Sequence, residues 1–205
     1  MHSMNNLKKL RKKIKTLYHL ANVTILSVAL LGFPAAAQVL DATATMTDPS
    51  ESAHTGHEGA APAKLVEVVR IATQQFIDVN AAVAANYHPY LGCVSGPDHG
   101  AMGVHYVNLD LVGDGELDAS RPEALIYEPS KGGLRLVGVE FIVVAATWLA
   151  HHSAPPVLEG QTFQFIDSPN RYGLPAHFEL HVWAWCDSPN GAFVDWNTRV
   201  TCEGQ

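Results

Sequence analysis

The chain has 205 residues, 47% of them hydrophobic, with thirteen Lys and Arg against twenty Asp and Glu and a formal charge of −7. Such an acidic balance repels phosphate backbones and sets nucleic acid aside as a partner. The length suits one domain with a well-formed core rather than two.

Residues 1–37 are predicted to be a secretory signal peptide. Lys8, Lys9, Arg11, Lys12, Lys13 and Lys15 form a basic block, 23–33 is a short apolar run, and Ala35-Ala36-Ala37 offers small residues for cleavage. The apolar run is shorter than the roughly 20 residues of a spanning helix. Cleavage would leave no stable membrane anchor, and the protein is expected in the periplasm or outside the cell. Six of the thirteen basic residues and none of the acidic ones lie in this segment, so seven basic residues remain against twenty acidic, a formal −13. That surface favours cations. Residues 38–61, rich in Ala, Thr, Ser and Gly, are predicted to be a flexible linker. Its His54-Thr55-Gly56-His57-Glu58 lacks the rigid frame a metal site needs and reads as a solvated tail.

A single domain is predicted over 62–205. Leu65, Val68, Val69, Ala72, Phe76, Val79, Val83 and Tyr87 recur at steps of one, three or four, an apolar stripe that predicts a helix over about 63–86. Pro89 pushes His88 out of helical geometry and ends it. Most of the remaining chain reads as strands. The expected fold class is therefore α+β, with one long N-terminal amphipathic helix packed on a curved, mainly antiparallel β-sheet or partial barrel.

The glycines around His99 predict a loop between Cys93 and Asn108, followed by a strand over 106–111 and a turn at Gly113-Asp114-Gly115-Glu116. Asp110, Asp114, Glu116 and Asp118 do not match EF-hand spacing and read as a solvated acidic turn. A short strand at 124–127, a hairpin turn at Lys131-Gly132-Gly133 and a long apolar strand over 134–146 come next. Within the long strand, Glu140 shares a face with Leu136, Gly138 and Ile142. A carboxylate there needs a counterpart, either an arginine such as Arg121 or Arg199, or a metal. Pro155-Pro156 breaks the chain, 161–166 is a further strand, and Asp167-Ser168-Pro169-Asn170 and Asp187-Ser188-Pro189-Asn190 read as turns.

Between those turns, 177–185 alternates with period two. Phe178, Leu180, Val182 and Ala184 face one way, and His177, Glu179 and His181 the other. His177 and His181 lie roughly 13 Å apart on a flat strand, too far to share an ion whose bonds to imidazole are about 2 Å. One of these histidines with Glu179 is therefore half a site. His99 and His105 complement it, with Met102 between them as a soft ligand for copper. The candidate set is His99, His105, Glu140 and His181, or His177 in place of the last, for zinc, copper or iron. Glu179 or Glu140 is the candidate general base.

Three cysteines follow the leader: Cys93, Cys186 and Cys202. In an exported chain two are expected to pair. A Cys93–Cys202 bridge would close a long loop and tie down the C-terminal tail, leaving Cys186 as a small buried hydrophobe. No pair has zinc-finger spacing. Phosphate-loop, Gly-x-Ser-x-Gly and His-Glu-x-x-His motifs are absent. Trp183, Trp185 and Trp196 are candidates to line a ligand pocket.

The runs Gly100-Ala101-Met102-Gly103-Val104-His105-Tyr106-Val107-Asn108, Arg121-Pro122-Glu123-Ala124-Leu125-Ile126-Tyr127-Glu128-Pro129, Leu136-Val137-Gly138-Val139-Glu140-Phe141 and Leu180-His181-Val182-Trp183-Ala184-Trp185 resemble a group of bacterial secreted proteins. The resemblance spans most of 65–202 and implies a recurring domain, without an established activity to carry over. A cupin-like barrel is the nearest functional analogy, since it also sets two histidines and a glutamate on inward strands. His177-x-Glu179-x-His181 departs from the cupin order, and a long N-terminal helix is foreign to it. Three functions are thus expected to compete. The first is a divalent-metal-binding domain, with or without turnover. The second is a metal-free binding module in which Trp183, Trp185 and Tyr106 surround a small-molecule ligand. The third is a structural envelope protein.

Overall fold

The computed structural model describes residues 63–96 and 98–204. The expected signal peptide and linker lie outside them. Helix α1 (Lys64–Thr73) runs into a 3-10 turn (Gln74–Ile77) and then α2 (Val79–Ala84). Strands β1 (His88–Gly96) and β2 (Gly100–Val107) follow, then the short α3 (Leu109–Val112), β3 (Ala124–Ser130), β4 (Gly133–Val144) and α4 (Ala145–Leu149). The chain continues through β5 (Val157–Leu158), β6 (Gln161–Thr162), β7 (Gln164–Ile166) and β8 (His177–Val182). Six strands form one curled antiparallel sheet in the order β1-β2-β3-β4-β8-β7, and β5 pairs with β6 apart from it. The fold is α+β.

The single helix expected over 63–86 is instead broken into three pieces. Asp78 leaves helical geometry and its carboxylate accepts the Asn80 N–H at 2.9 Å, capping α2 as a new start. The break turns Phe76 into the core beside Tyr87 and leaves Val83, a member of the sequence stripe, exposed. The glycine-rich stretch before Asn108 is likewise more regular than expected. Gly100 to Val107 is strand β2, paired with β1, and the Asn108 side chain caps α3 where strand was expected. Gly100 holds φ +81 where a Cβ would sit 2.2 Å from the Asn197 carbonyl oxygen, and Gly103 holds φ +96 where one would sit 2.7 Å from that of Tyr127. Only glycine allows both approaches.

Alternation divides the sheet. Leu125, Tyr127, Val139, Phe141, Val143, Phe178, Leu180 and Val182 bury against Leu65, Val69 and Phe76 from the helical segment. The Tyr127 hydroxyl donates to the Phe76 carbonyl and that of Tyr87 to the Pro122 carbonyl, each at 2.7 Å. The other face carries Val107, Ala124 and Ile142 with the histidines and glutamates. Leu136 does not share that face, contrary to its spacing from Glu140. The pairing slips between Ile126↔Gly138 and Tyr127↔Leu136, so Val137 is an extra residue and Leu136 joins the helix-side core.

Cys93 and Cys202 form a disulfide across 109 residues, tying edge strand β1 to the C-terminal segment. A bridge closing a loop of that length contributes about 4–5 kcal/mol in the chain-entropy picture, and it indicates an oxidising compartment. Cys186 is free and packs half-buried, rather than fully buried, against the cluster of Trp183 and Val200, with the Arg135 guanidinium 4.0 Å from its sulfur. Among the described residues no helix is long and apolar enough to cross a membrane.

Candidate metal centre

Strand register brings the acidic and basic side chains together. Glu140 on β4 pairs directly with His181 on β8, and Ile142 with Glu179, while Val107 and Ala124 continue the row toward β2. His105, two residues before Val107, therefore leans toward Glu140, with Nε2 3.3 Å from Glu140 Oε2. His105, Glu140 and His181, all buried, can each offer one ligand atom such that the three atoms lie within 4.8 Å of one another. Metal ligation at about 2 Å fits inside that spread.

The centre is nearly dry, and burial decides its charges. His105 is pushed down to about 3, first by desolvation and then by His181, so it is neutral at ordinary pH. Glu140 is held protonated well above the usual carboxylate range, first by burial and then by the charge of Glu179, to which it is hydrogen-bonded. The close approach of His105 and Glu140 is thus between two neutral groups and not an ion pair. Burial alone would also raise Glu179, but hydrogen bonds from His177 and Glu140 and the proximity of His181 outweigh it and keep this carboxylate ionised. One proton shared between two touching carboxyls avoids two buried like charges.

His181 differs from every other polar group here. Its side chain is fully buried, and neither Nδ1 nor Nε2 has a hydrogen-bond partner. Desolvation drives it toward the neutral form, against the pull of Glu179 and Asp195. An unsatisfied buried nitrogen costs about 1–3 kcal/mol, so a ring with two is held against its own solvation. Its other neighbours are the Trp183 indole, stacked at 6.4 Å between centroids, and the edge of His105 at 5.8 Å.

A small cavity of about 20 Å³ adjoins the centre, walled by His105, Glu140, His177, Tyr172 and aliphatic side chains of the same face. That volume accommodates about one water, enough for a single exchangeable ligand.

Other residues expected from the sequence are placed elsewhere. His177 has both nitrogens engaged, Nδ1 donating to the Pro175 carbonyl at 2.8 Å and Nε2 at 3.1 Å from Glu179 Oε2, so it orients Glu179 and joins neither ligand set. His99 is exposed beside Trp196, at the turn between β1 and β2, and does not reach the centre. Met102 is buried, and its sulfur receives the Tyr172 hydroxyl at 3.4 Å. The arginines offered as counterparts for Glu140 are otherwise engaged: Arg121 meets Asp118 at 3.2 Å, and Arg199 donates to the Asp187 carbonyl. Nor do Trp183, Trp185 and Tyr106 surround a common pocket. Trp183 is buried with its N–H on the Val194 carbonyl, Trp185 donates to Thr73, and Tyr106 packs edge-on against Tyr127.

Asp195 was not foreseen. It comes from the irregular segment after β8, which Trp183 pins through its backbone N–H to Ala192 and its indole N–H to Val194. This puts Asp195 Oδ1 3.6 Å from His181 Nδ1. No periodicity marks a ligand in such a segment. Gln164 on β7 was equally silent, yet its amide donates to Glu179 Oε1 at 3.0 Å and to Asp195 Oδ1 at 2.5 Å.

Comparison with protein-family models, curated proteins and solved structures gives no match for this chain.

Proposed function

We propose that this chain is an exported metal-binding domain in which His105, Glu140 and His181 hold a divalent transition-metal ion. The observation that carries this reading is the His181 ring: fully buried, with both nitrogens unpartnered, beside a neutral histidine and a carboxyl at ligand spacing. Two imidazoles and one carboxylate are a donor set for zinc or non-haem iron, and copper accepts the same ligands. Binding would displace the Glu140 proton, since ligands coordinate deprotonated. The adjoining cavity supports an ion that keeps one position for water or substrate, and Glu179, ionised and touching Glu140, is the base available to a reaction there.

Metal content of the purified chain, expressed in rich medium and compared with His105→Ala and His181→Ala, tests this. The wild type is expected to retain tightly bound metal and each variant to lose at least the ion of this site. A metal-free wild type whose unfolding temperature ignores added zinc, copper and iron would overturn the reading. A small-molecule ligand is the second reading. An open groove of about 430 Å³ bordered by His99, Phe193, Asp195 and Trp196 supports it.

A further inference from the structure

His181 belongs to two ligand groups. Besides His105 and Glu140, it converges with Glu179 and Asp195, again with one atom from each residue inside 4.8 Å of the others. A ring nitrogen has one lone pair in the ring plane and serves one ion. Filling the first group therefore leaves the other nitrogen of His181 as it was, buried and unpartnered. Nδ1 faces Asp195 at 3.6 Å without bonding it.

The second group has its own support and its own entrance. Glu179 is fixed by His177 from one side and Gln164 from the other. Gln164 places one NH₂ between the carboxylates of Glu179 and Asp195, the position a cation between two acids would take. Rotating that amide by half a turn presents its carbonyl oxygen instead, a fourth donor. Asp195 is about one-third exposed and lines the open groove, so ions reach this group from solvent without crossing the core.

We propose that Glu179, His181 and Asp195 form a second divalent-cation site, and that the His181 imidazole bridges it to the ion held by His105 and Glu140. This rests on the metal reading of the first group, and a filled second site takes Glu179 as a ligand in place of its role as base. One imidazole nitrogen with carboxylate and amide oxygens suits zinc better than calcium or magnesium, which take oxygen ligands. Charge balances in the filled pair. Two divalent ions meet the carboxylates of Glu140, Glu179 and Asp195, and the remaining negative charge is that of His181 once its last N–H proton has left to solvent.

Zinc titration of the full chain after chelator treatment, read by bound equivalents and by cobalt absorbance, tests the pair. The wild type is expected to bind two equivalents, Asp195→Asn one, His105→Ala one, and His181→Ala neither tightly. Asp195 is partly exposed, so the Asn variant should fold; its unfolding temperature in chelator is the control. One equivalent in the wild type, unchanged in Asp195→Asn, would overturn the second site and leave the first standing. Two equivalents of which His181→Ala removes only one would overturn the bridge. No bound metal at all would remove the first site and the second with it.

Discussion

On the helix side of the sheet, Phe141, Leu125 and Val139 meet Leu65, Val69 and Phe76, and the buried tyrosine hydroxyls of Tyr87 and Tyr127 both reach carbonyl oxygens. On the opposite side the same strands, one residue out of phase, bury His105, Glu140, Glu179 and His181, and the last has two nitrogens without partners. Both faces bury their strand side chains, yet only one is internally satisfied. A fold that needed this sheet only as a scaffold would gain by making the second face apolar as well. The difference teaches that the helix face holds the fold together, while the polar face is kept at a stability cost that a bound ion would offset.

The largest effect should come from breaking the helix side. Phe141→Ala removes a fully buried ring that touches Phe163 and the helical segment, and large-to-small changes of this kind cost about 3–5 kcal/mol. Urea unfolding is expected to show that loss. Once the variant is folded, its zinc affinity should stay within a few-fold of wild type, because Phe141 points away from the ligands. A loss of affinity as great as that of His105→Ala would show that the two faces are not separable.

A second effect tests a buried carboxyl where β3 begins. Glu123, just before β3, is almost fully buried with its carboxylate accepting the Ile142 N–H at 2.9 Å; burial raises it to about 8 from an ordinary 4.5. A carboxyl whose folded value is raised contributes fully below its unfolded value, and its contribution is lost as pH climbs through the folded value. Glu123→Gln keeps an acceptor for Ile142 without the titration. The variant should gain on the wild type as pH rises from about 4.5 to 8, by on the order of a few kcal/mol in total, and by nothing further above that. Parallel stability curves across that window would refute the assignment.

How much of this was legible beforehand depends on which physics placed each residue. Strand alternation is local, and it put His177, Glu179 and His181 on one face and Phe178, Leu180 and Val182 on the other. The α+β class followed from the helix-period stripe and the strands after it. Cross-strand register is not local. Nothing in the sequence says that Glu140 stands opposite His181, that Val137 is an extra residue turning Leu136 to the other face, or that His177 spends its second nitrogen on Glu179. Asp195 was hidden most completely, since it owes its place to two hydrogen bonds that Trp183 makes to an irregular segment.

The smallest expected change in stability is the most telling one. His181→Leu replaces an unsatisfied ring in a closed site by an apolar side chain of similar length. Removing two unpaired buried nitrogens, offset in part by the poorer fit of leucine in the space of a ring, should leave the chelator-treated protein more stable by about 1–3 kcal/mol net, a reversal of the usual sign for a change at a fully buried position. Added zinc should invert the order, because binding stabilises only the form that binds and the variant has lost the shared ligand. Denaturant unfolding of both proteins, with chelator and with zinc, reads all four stabilities at once. If the leucine variant is the weaker of the two in chelator as well, the imidazole is already well placed without an ion. The polar face is then a structural network like the tyrosine contacts on the helix side, and the contrast between the two faces disappears.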